Sequence, residues 1–247
     1  MTKTVFLDLY QTLLDVNLDS YIKARDEDES WAALASSLEK YSLKVSPEDL
    51  KSAYEKEKDS FYSGRDIKIY HHNLCKLVPK VLKEQFNLSL SQKELISLIY
   101  EYRKAAVGDT RLFPGVYETL KKLKGRYTLA TASHTQGCFT QIELEKLDIA
   151  KFFSLFFYTS DIGFRKDTRR FYDYCLAETG NLASECVMVG DNYYVDVLVP
   201  EEVGIKSVWI INPQTSNRHK VDSMPKYSLN IGELEKLPDL IEAISKV

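Results

Sequence analysis

The stretch that decides the fold is Val5-Phe6-Leu7-Asp8-Leu9-Tyr10-Gln11-Thr12-Leu13-Leu14, where a short apolar run ends in a carboxylate and passes into a polar turn. Such a run is typical of a buried strand in a parallel sheet. Open α/β sheets bind their ligands at the carboxyl ends of the strands. Asp8 therefore stands where a nucleophile or a metal ligand is expected, and an acid that merely caps a turn is the alternative interpretation.

The rest of the chain divides into a helical part and an alternating part. Ser46-Pro47-Glu48-Asp49 and Ser91-Gln92-Lys93-Glu94 are helix starts. A further helix is expected from Asp66 to Phe86, kinked or split at Pro79. Beyond Phe113-Pro114-Gly115, strands alternate with helices, apart from a polar loop at 212–225. We therefore predict an α/β fold with a doubly wound, mainly parallel sheet in a core domain (1–15 and 110–247) and an inserted all-α domain (16–109).

Composition excludes several classes of protein. A net charge of −3 and 44% hydrophobic residues fit an ordinary globular chain and argue against a nucleic-acid partner. No apolar run reaches the roughly 18 residues needed to span a bilayer, so we expect no membrane partner. The four cysteines form no CxxC pair; we expect them to be reduced thiols and the protein to be cytoplasmic.

A second strand ending in acids occurs late, in Val187-Met188-Val189-Gly190-Asp191-Asn192-Tyr193-Tyr194-Val195-Asp196. Gly190 is expected to let the chain turn sharply, so that Asp191 and Asp196 project from the same edge as Asp8. Three carboxylates repel one another unless a positive charge lies between them. Mg²⁺, which prefers oxygen ligands, satisfies this requirement. Acids that favour the dipole of a helix start are the alternative.

Between these two segments lie weaker signals for substrate binding. Thr131 is expected to follow a strand at 127–130, where its hydroxyl and nearby backbone N–H groups, such as that of Ala132, would bind an oxyanion at a helix start. His134 lies just beyond this turn. Arg165 and Lys166 follow another strand, and a lysine there would neutralise a carboxylate and a phosphoryl oxygen together. A capping threonine and solvated cations are the alternatives.

The order of these features resembles the four motifs of the haloacid dehalogenase-like hydrolase superfamily, in the subgroup with a helical cap between the first two motifs. The resemblance implies a Rossmann-like core and assigns roles by position. Asp8 would be the nucleophile, Thr12 would support the first loop, Thr131 would bind the transferring group and Lys166 would stabilise charge. Mg²⁺ would be held by Asp8, the backbone carbonyl of Tyr10 and Asp191, with Asp196 as a further ligand or as an acid that contacts the ligands.

One departure from that pattern concerns position 10. The superfamily's phosphatases carry an aspartate there as general acid and base, a function worth about 10² to 10⁴ in rate, whereas this chain has Tyr10. The 2-haloacid dehalogenases carry tyrosine at this position and an aromatic residue six past the lysine, here Tyr172. They work without metal, however, and lack an acid at the position of Asp191.

The sequence therefore predicts a hydrolase, with a Mg²⁺-dependent phosphatase of a small phosphorylated metabolite as the first hypothesis. A metal-independent 2-haloacid dehalogenase and a catalytically weak relative with a binding role are the alternatives.

Overall fold

The core is built on one parallel sheet in the computed structural model, which describes residues 1–16, 29–215 and 224–246. Its strands, numbered along the chain together with a separate short pair, are β1 (Thr4–Leu7), β2 (Leu14–Asp15), β3 (Arg111–Leu112), β4 (Thr128–Ser133), β5 (Leu155–Tyr158), β6 (Cys186–Gly190), β7 (Lys206–Ile211) and β8 (Ser228–Asn230). The six-stranded sheet has the order β5-β4-β1-β6-β7-β8, with every pairing parallel. Residues 17–28 of the predicted insert and 216–223 of the predicted polar loop lie outside the described residues.

Strand β1 is central and buried on both faces, as its continuous apolar run predicts. Val5 and Leu7 pack into one apolar cluster and Phe6 packs into another, because successive side chains of a strand point to opposite faces. The helices that follow these strands are Val116–Lys124, Gly137–Lys146, Thr159–Ile162, Arg169–Thr179, Val199–Glu202 and Leu237–Ser245. This alternation confirms the predicted doubly wound α/β core with a helical insert. No helix in the described part of the chain is long and apolar enough to cross a membrane.

By the density of its internal packing the chain divides into two units. The first comprises 1–15, 111–135 and 144–247, and the second comprises 16–110 and 136–143. The second unit is helical, with helices Glu29–Leu38, Pro47–Tyr62, Leu74–Phe86 and Gln92–Val107 around its own apolar cluster.

Local signals placed two of these helices correctly. The Ser46 hydroxyl accepts a hydrogen bond from the N–H of Asp49 at 3.0 Å. At Ser91 the capping box closes reciprocally, since the side chain of Glu94 accepts the N–H of Ser91 at 2.8 Å. Both caps satisfy backbone donors that a helix start leaves without intrahelical partners.

The predicted helix from Asp66 to Phe86 is wrong in its first part. The helix begins at Leu74, where the Asn73 side chain caps it by accepting the N–H of Lys76 at 3.1 Å. Pro79 lies inside this helix without splitting it. The proline removes one backbone donor, while the apolar face that includes Val78 and Val81 stays buried in the cluster of the unit.

Strands β2 and β3 were not predicted. They pair antiparallel, Leu14 with Leu112 and Asp15 with Arg111. A strand of two residues is too short to show the alternation of apolar and polar residues by which strands are recognised in sequence. The pair nevertheless joins the point where the chain leaves the core to the point where it returns.

The expectation that all four cysteines are reduced thiols is wrong for one pair. Cys75 and Cys138 form a disulfide within the helical unit, with their Cα atoms 6.5 Å apart and a sequence separation of 63. Cys175 and Cys186 are free and buried. Sequence spacing misses the disulfide because its two cysteines meet only after the helices pack. The cytoplasmic location stays a prediction.

Candidate active site

Three acids from two strand ends meet at the carboxyl edge of the sheet. Leu7 of β1 lies opposite Val189 of β6 in the parallel register, so Asp8 and Asp191 leave the sheet at nearly the same level. Carboxylate oxygens of Asp8, Asp191 and Asp196 all lie within 4.8 Å of one another, and all three residues are buried. The structure thus brings together acids that are up to 188 positions apart by their residue numbers.

Lys166 is the counter-charge of this cluster. Its Nζ lies 2.7 Å from Asp8 Oδ1 and 2.6 Å from Asp196 Oδ1, and the residue is only 1% exposed. An ammonium group between two carboxylates offsets their repulsion at a place where water screens poorly. Lys166 therefore links the first acidic loop to the last one.

The pKa values follow from this arrangement. Burial, followed by repulsion from Asp8 and Asp196, raises the pKa of Asp191 to about 7. Burial also raises the pKa of Asp196, although the Lys166 charge opposes that rise. For Lys166, burial disfavours the charged form, but Asp196 and Asp8 outweigh it and the pKa is raised. The cluster therefore has more negative charge than its single cation neutralises, which is the condition that favours binding of a further cation.

Thr12 connects two of the acids. Its hydroxyl donates to Asp191 Oδ1 at 3.1 Å and lies 3.4 Å from Asp8 Oδ2. Thr12 is fully buried in the turn that follows β1. The first loop is thereby fixed against the last one.

Asp196 lies in a π-helical turn, Tyr193–Leu198, directly after the strand end. Asn192 caps this turn by accepting the N–H of Val195 at 3.2 Å, and its own N–H donates to Asp196 Oδ2 at 2.9 Å. Both oxygens of Asp196 are then engaged, one by Lys166 and one by Asn192.

Gly190 is needed for a different reason from the predicted sharp turn. Gly190 belongs to β6, and its φ is not positive, so its backbone conformation does not require a glycine. A Cβ at this position would lie 2.2 Å from Asp196 Oδ2, which is closer than real Cβ contacts. The glycine therefore makes room for the Asp196 carboxylate.

The predicted position of Thr131 at a helix start is wrong. Thr131 lies within β4, fully buried, and its hydroxyl accepts the N–H of Phe157 at 3.0 Å. The strand continues to Ser133 and the next helix begins only at Gly137. Ala132 is likewise a buried strand residue. The alternating threonine and alanine side chains gave no signal of where the strand would end.

His134 and Arg165 lie close enough to interact electrostatically, and the charge of Arg165 acts on the imidazole of His134. The residue His134 is exposed, but protein atoms packed around its imidazole ring, followed by the charge of Arg165, lower the pKa of the ring. Its imidazole is therefore neutral at neutral pH. The guanidinium of Arg165 is engaged by Asp167, with Nε 3.0 Å from Oδ1 and Nη2 2.9 Å from Oδ2.

The two aromatic residues of the dehalogenase pattern have structural contacts. The ring of Tyr10 is half-buried against the apolar cluster that contains Val5 and Leu7. Tyr172 is fully buried, and its hydroxyl donates to the backbone carbonyl of Val195 at 2.8 Å. Tyr172 therefore helps to hold the turn that bears Asp196.

The acid cluster fits a hard divalent cation. Its donors are all carboxylate oxygens, and opposite ligands of a six-coordinate Mg²⁺ lie about 4.2 Å apart, within the 4.8 Å span of the cluster. Both oxygens of Asp196 are held at 2.9 Å or less by Lys166 and Asn192, whereas the second partner of Asp8 is only the Thr12 hydroxyl at 3.4 Å, so Asp8 and Asp191 are the better candidates for ligands. The backbone carbonyl of Tyr10, in the same loop as Asp8, is the third.

Sequence analysis did not single out Asn192, Trp209 or Asn212, although all three contact the acidic loops. Asn192 directly follows the second acid. Asn212 directly follows β7, at the same edge of the sheet as the two acidic strand ends. Its position after a strand could have marked it in the sequence as a candidate site residue.

Comparison with known proteins gives the family of the chain. The profile described as haloacid dehalogenase-like hydrolase matches residues 27–210. The glyceraldehyde 3-phosphate phosphatase of Pyrococcus abyssi is 23% identical over 245 residues, which cover 99% of this chain and 94% of that protein. The pyrimidine 5'-nucleotidase of Escherichia coli is 26% identical over 98 residues, which cover 39% of this chain and only 44% of that relative.

Solved structures give the same fold. A 2-haloacid dehalogenase from Pseudomonas syringae superposes with a TM-score of 0.67 at 21% identity, over 98% of this chain and 99% of the other. At this level of identity the likeness concerns the fold, and the chemistry has to be argued from the site.

Proposed function

Because the chain belongs to the haloacid dehalogenase-like hydrolases, we propose that it is a Mg²⁺-dependent phosphatase of a small phosphorylated metabolite, with Asp8 as nucleophile. The observation that carries this proposal is the buried cluster of Asp8, Asp191 and Asp196, whose charge exceeds that of Lys166. Two relatives whose names describe action on phosphate esters, the nucleotidase and the glyceraldehyde 3-phosphate phosphatase, support the substrate class.

The proposed reaction has two steps, in the manner of other covalent catalysts. A carboxylate oxygen of Asp8 attacks the phosphorus, forming an Asp8–phosphorus bond as the bond to the leaving oxygen breaks. Water then attacks the phosphorus of this aspartyl phosphate, releasing inorganic phosphate and the free carboxylate. Lys166, held 2.7 Å from Asp8, offsets charge on the nucleophile and on the transferring group.

The other residues hold the site in place. Asp8, Asp191 and the carbonyl of Tyr10 would hold Mg²⁺, which when bound offsets negative charge on the phosphoryl oxygens. Asp196, engaged by Lys166 and by the N–H of Asn192, orients the lysine. Exposed and neutral, His134 is suited to donate or accept a hydrogen bond with the substrate.

Tyr10 limits the choice of leaving group. A phenol with a pKa near 10 is a poor proton donor and base at neutral pH compared with a carboxyl group. Substrates whose leaving oxygen needs no proton, such as aryl or acyl phosphates, should therefore react faster than alkyl phosphates. The difference should approach the roughly 10² to 10⁴ that general acid catalysis contributes.

The test is a steady-state assay with p-nitrophenyl phosphate, with Mg²⁺ or with excess chelator. We expect activity only with Mg²⁺, and a loss of at least about 10³-fold in Asp8→Asn. Asp173→Asn, which removes an exposed acid paired with Arg169, is the matched control and should retain full activity. Equal rates in chelator would overturn the proposal.

A second candidate function, 2-haloacid dehalogenase, is favoured by Tyr10 and Tyr172, the two aromatic residues of that pattern. A halide leaves without a proton, so that chemistry needs no acid at position 10. The buried acids beside Asp8 argue for the phosphatase instead. Chloride release from 2-chloropropionate, undiminished by chelator, would select the dehalogenase.

A further inference from the structure

The end of strand β7 contacts the loop that carries Asp191. The indole Nε1–H of Trp209 donates to the backbone carbonyl of Asp191 at 2.8 Å, and Trp209 is buried. Trp209 lies opposite Gly190 in the parallel register and packs edge-on against Tyr193, with ring centroids 5.5 Å apart. A single strand residue therefore contacts the main chain of one acid and the turn that leads to the next.

Three residues further on, Asn212 contacts the other acidic loop. Its side-chain amide donates to the backbone carbonyl of Gln11 at 2.9 Å and lies 3.1 Å from Gln11 Oε1. Gln11 is itself buried and has a φ of 64°, a left-handed conformation that non-glycine residues adopt infrequently. An external hydrogen bond to its carbonyl helps to hold that conformation. Gln11 directly follows Tyr10, whose carbonyl is a candidate ligand.

These two contacts tie both acidic loops to β7, in addition to the direct contacts between the loops through Thr12 and Lys166. The loop after β1 and the loop after β6 carry acids that repel each other, and they come from strands that are neighbours of one another. Strand β7 lies between β6 and β8 and does not pair with β1, yet Asn212 reaches past β6 to the loop of β1. The repulsion is thus opposed by neutral donors anchored on a third strand, without any added charge.

We infer that Trp209 and Asn212 are positioning residues, which hold the Asp8–Gln11 loop and the Asp191 loop at the spacing that a divalent cation requires. This inference rests on the proposed function, because it concerns the same cation. Groups that orient metal ligands without touching the metal typically change metal affinity by about 10- to 100-fold when they are removed. The chemistry at saturating metal should be much less affected.

The test is direct metal binding by the full chain without substrate, with Mn²⁺ as the probe and its free concentration read by electron paramagnetic resonance. Trp209→Phe removes the indole donor and keeps an aromatic ring, and Asn212→Ala removes the amide. We expect each variant to raise the Kd for Mn²⁺ by about 10- to 100-fold. Phosphatase kcat at saturating Mg²⁺ should fall less than about threefold. The Mg²⁺ concentration that gives half-maximal activity should therefore change more than kcat does.

Two matched controls separate positioning from general damage. Asn230→Ala removes an asparagine at the end of the neighbouring strand β8, where its amide donates to Glu233 on the surface. Trp31→Phe changes the other tryptophan of the chain, which is buried in the helical unit. Both should leave the Kd for Mn²⁺ unchanged, whatever they do to the melting temperature in chelator.

The outcomes are distinguishable. If the unaltered protein binds Mn²⁺ and both variants bind it within twofold of the same Kd, the positioning role is overturned and the proposed function stands. If the unaltered protein binds no Mn²⁺, the metal requirement of the proposed function fails, and this inference fails with it.

Discussion

Replacing Gly190 by alanine tests how tightly the acid cluster is built. The new Cβ would lie 2.2 Å from Asp196 Oδ2, 2.3 Å from its Cγ and 2.7 Å from its Cβ. Ordinary van der Waals contact begins at 3.4 Å, so the carboxylate must retreat by at least 1.2 Å, which is the difference between 3.4 Å and 2.2 Å. Because the Cβ of Asp196 is also too close, a change of rotamer alone does not relieve the clash.

The retreat disrupts both contacts of the carboxylate. Asp196 would move away from Lys166, now 2.6 Å distant, and from the N–H of Asn192, now 2.9 Å distant. Separating one partner from a buried ion pair costs about 3 to 5 kcal/mol. At about 2 to 4 °C per kcal/mol for a chain of this size, the melting temperature should fall by about 6 to 20 °C. Displacing a catalytic group by about 1 Å should also reduce kcat/KM by about 10²-fold.

Gly125→Ala is the matched control, measured by the same thermal melts and the same phosphatase assay. Gly125 ends a helix with φ −71° and ψ −12°, and an added Cβ would lie 3.8 Å from its nearest neighbour, the carbonyl of Lys122. This change should be neutral within about 0.5 kcal/mol. If Gly190→Ala melts within 2 °C of the unaltered protein and keeps its activity, the steric reasoning about Asp196 is wrong.

Three further predictions follow from the ion pair, the disulfide and the raised pKa. Lys166→Met keeps the length of the side chain but leaves Asp8 and Asp196 without their counter-charge, so urea unfolding in chelator should show a loss of about 3 to 5 kcal/mol; an unchanged midpoint would contradict the pairing. Closing a loop of 63 residues is worth about 4 kcal/mol in chain entropy, so dithiothreitol should lower the melting temperature of the unaltered protein but not that of Cys75→Ser. Because the folded-state pKa of Asp191 is raised to about 7 from an unfolded value near 4, the folded state binds more protons between these values. The contribution of this group to stability is then present below about pH 4 and lost as pH rises through about 7. Mg²⁺ should consequently raise the melting temperature more at about pH 8 than at about pH 5, and equal shifts would contradict this.

Local patterns in the sequence establish the class of the fold and identify the main acids of the site. Ser46 and Ser91 start helices through contacts within one turn of chain, so they can be read locally. Asp8 and Asp191 are recognisable because each directly follows an apolar run, and parallel strands direct such ends to one edge.

The contacts that hold those acids in place, in contrast, depend on tertiary packing. That Lys166 lies between Asp8 and Asp196 depends on the order of the strands, which no local pattern encodes. The same holds for the contact of Trp209 with Asp191.

The errors have the same origin. Thr131 continues a strand because β5 pairs with it, and Cys75 meets Cys138 because helices distant in sequence pack together. Helix caps and strand ends are set by neighbours a few residues away, whereas partners across the sheet are set by burial of the whole chain. For that reason the sequence named the acids of the site, and only the packed structure showed which residues fix their distances.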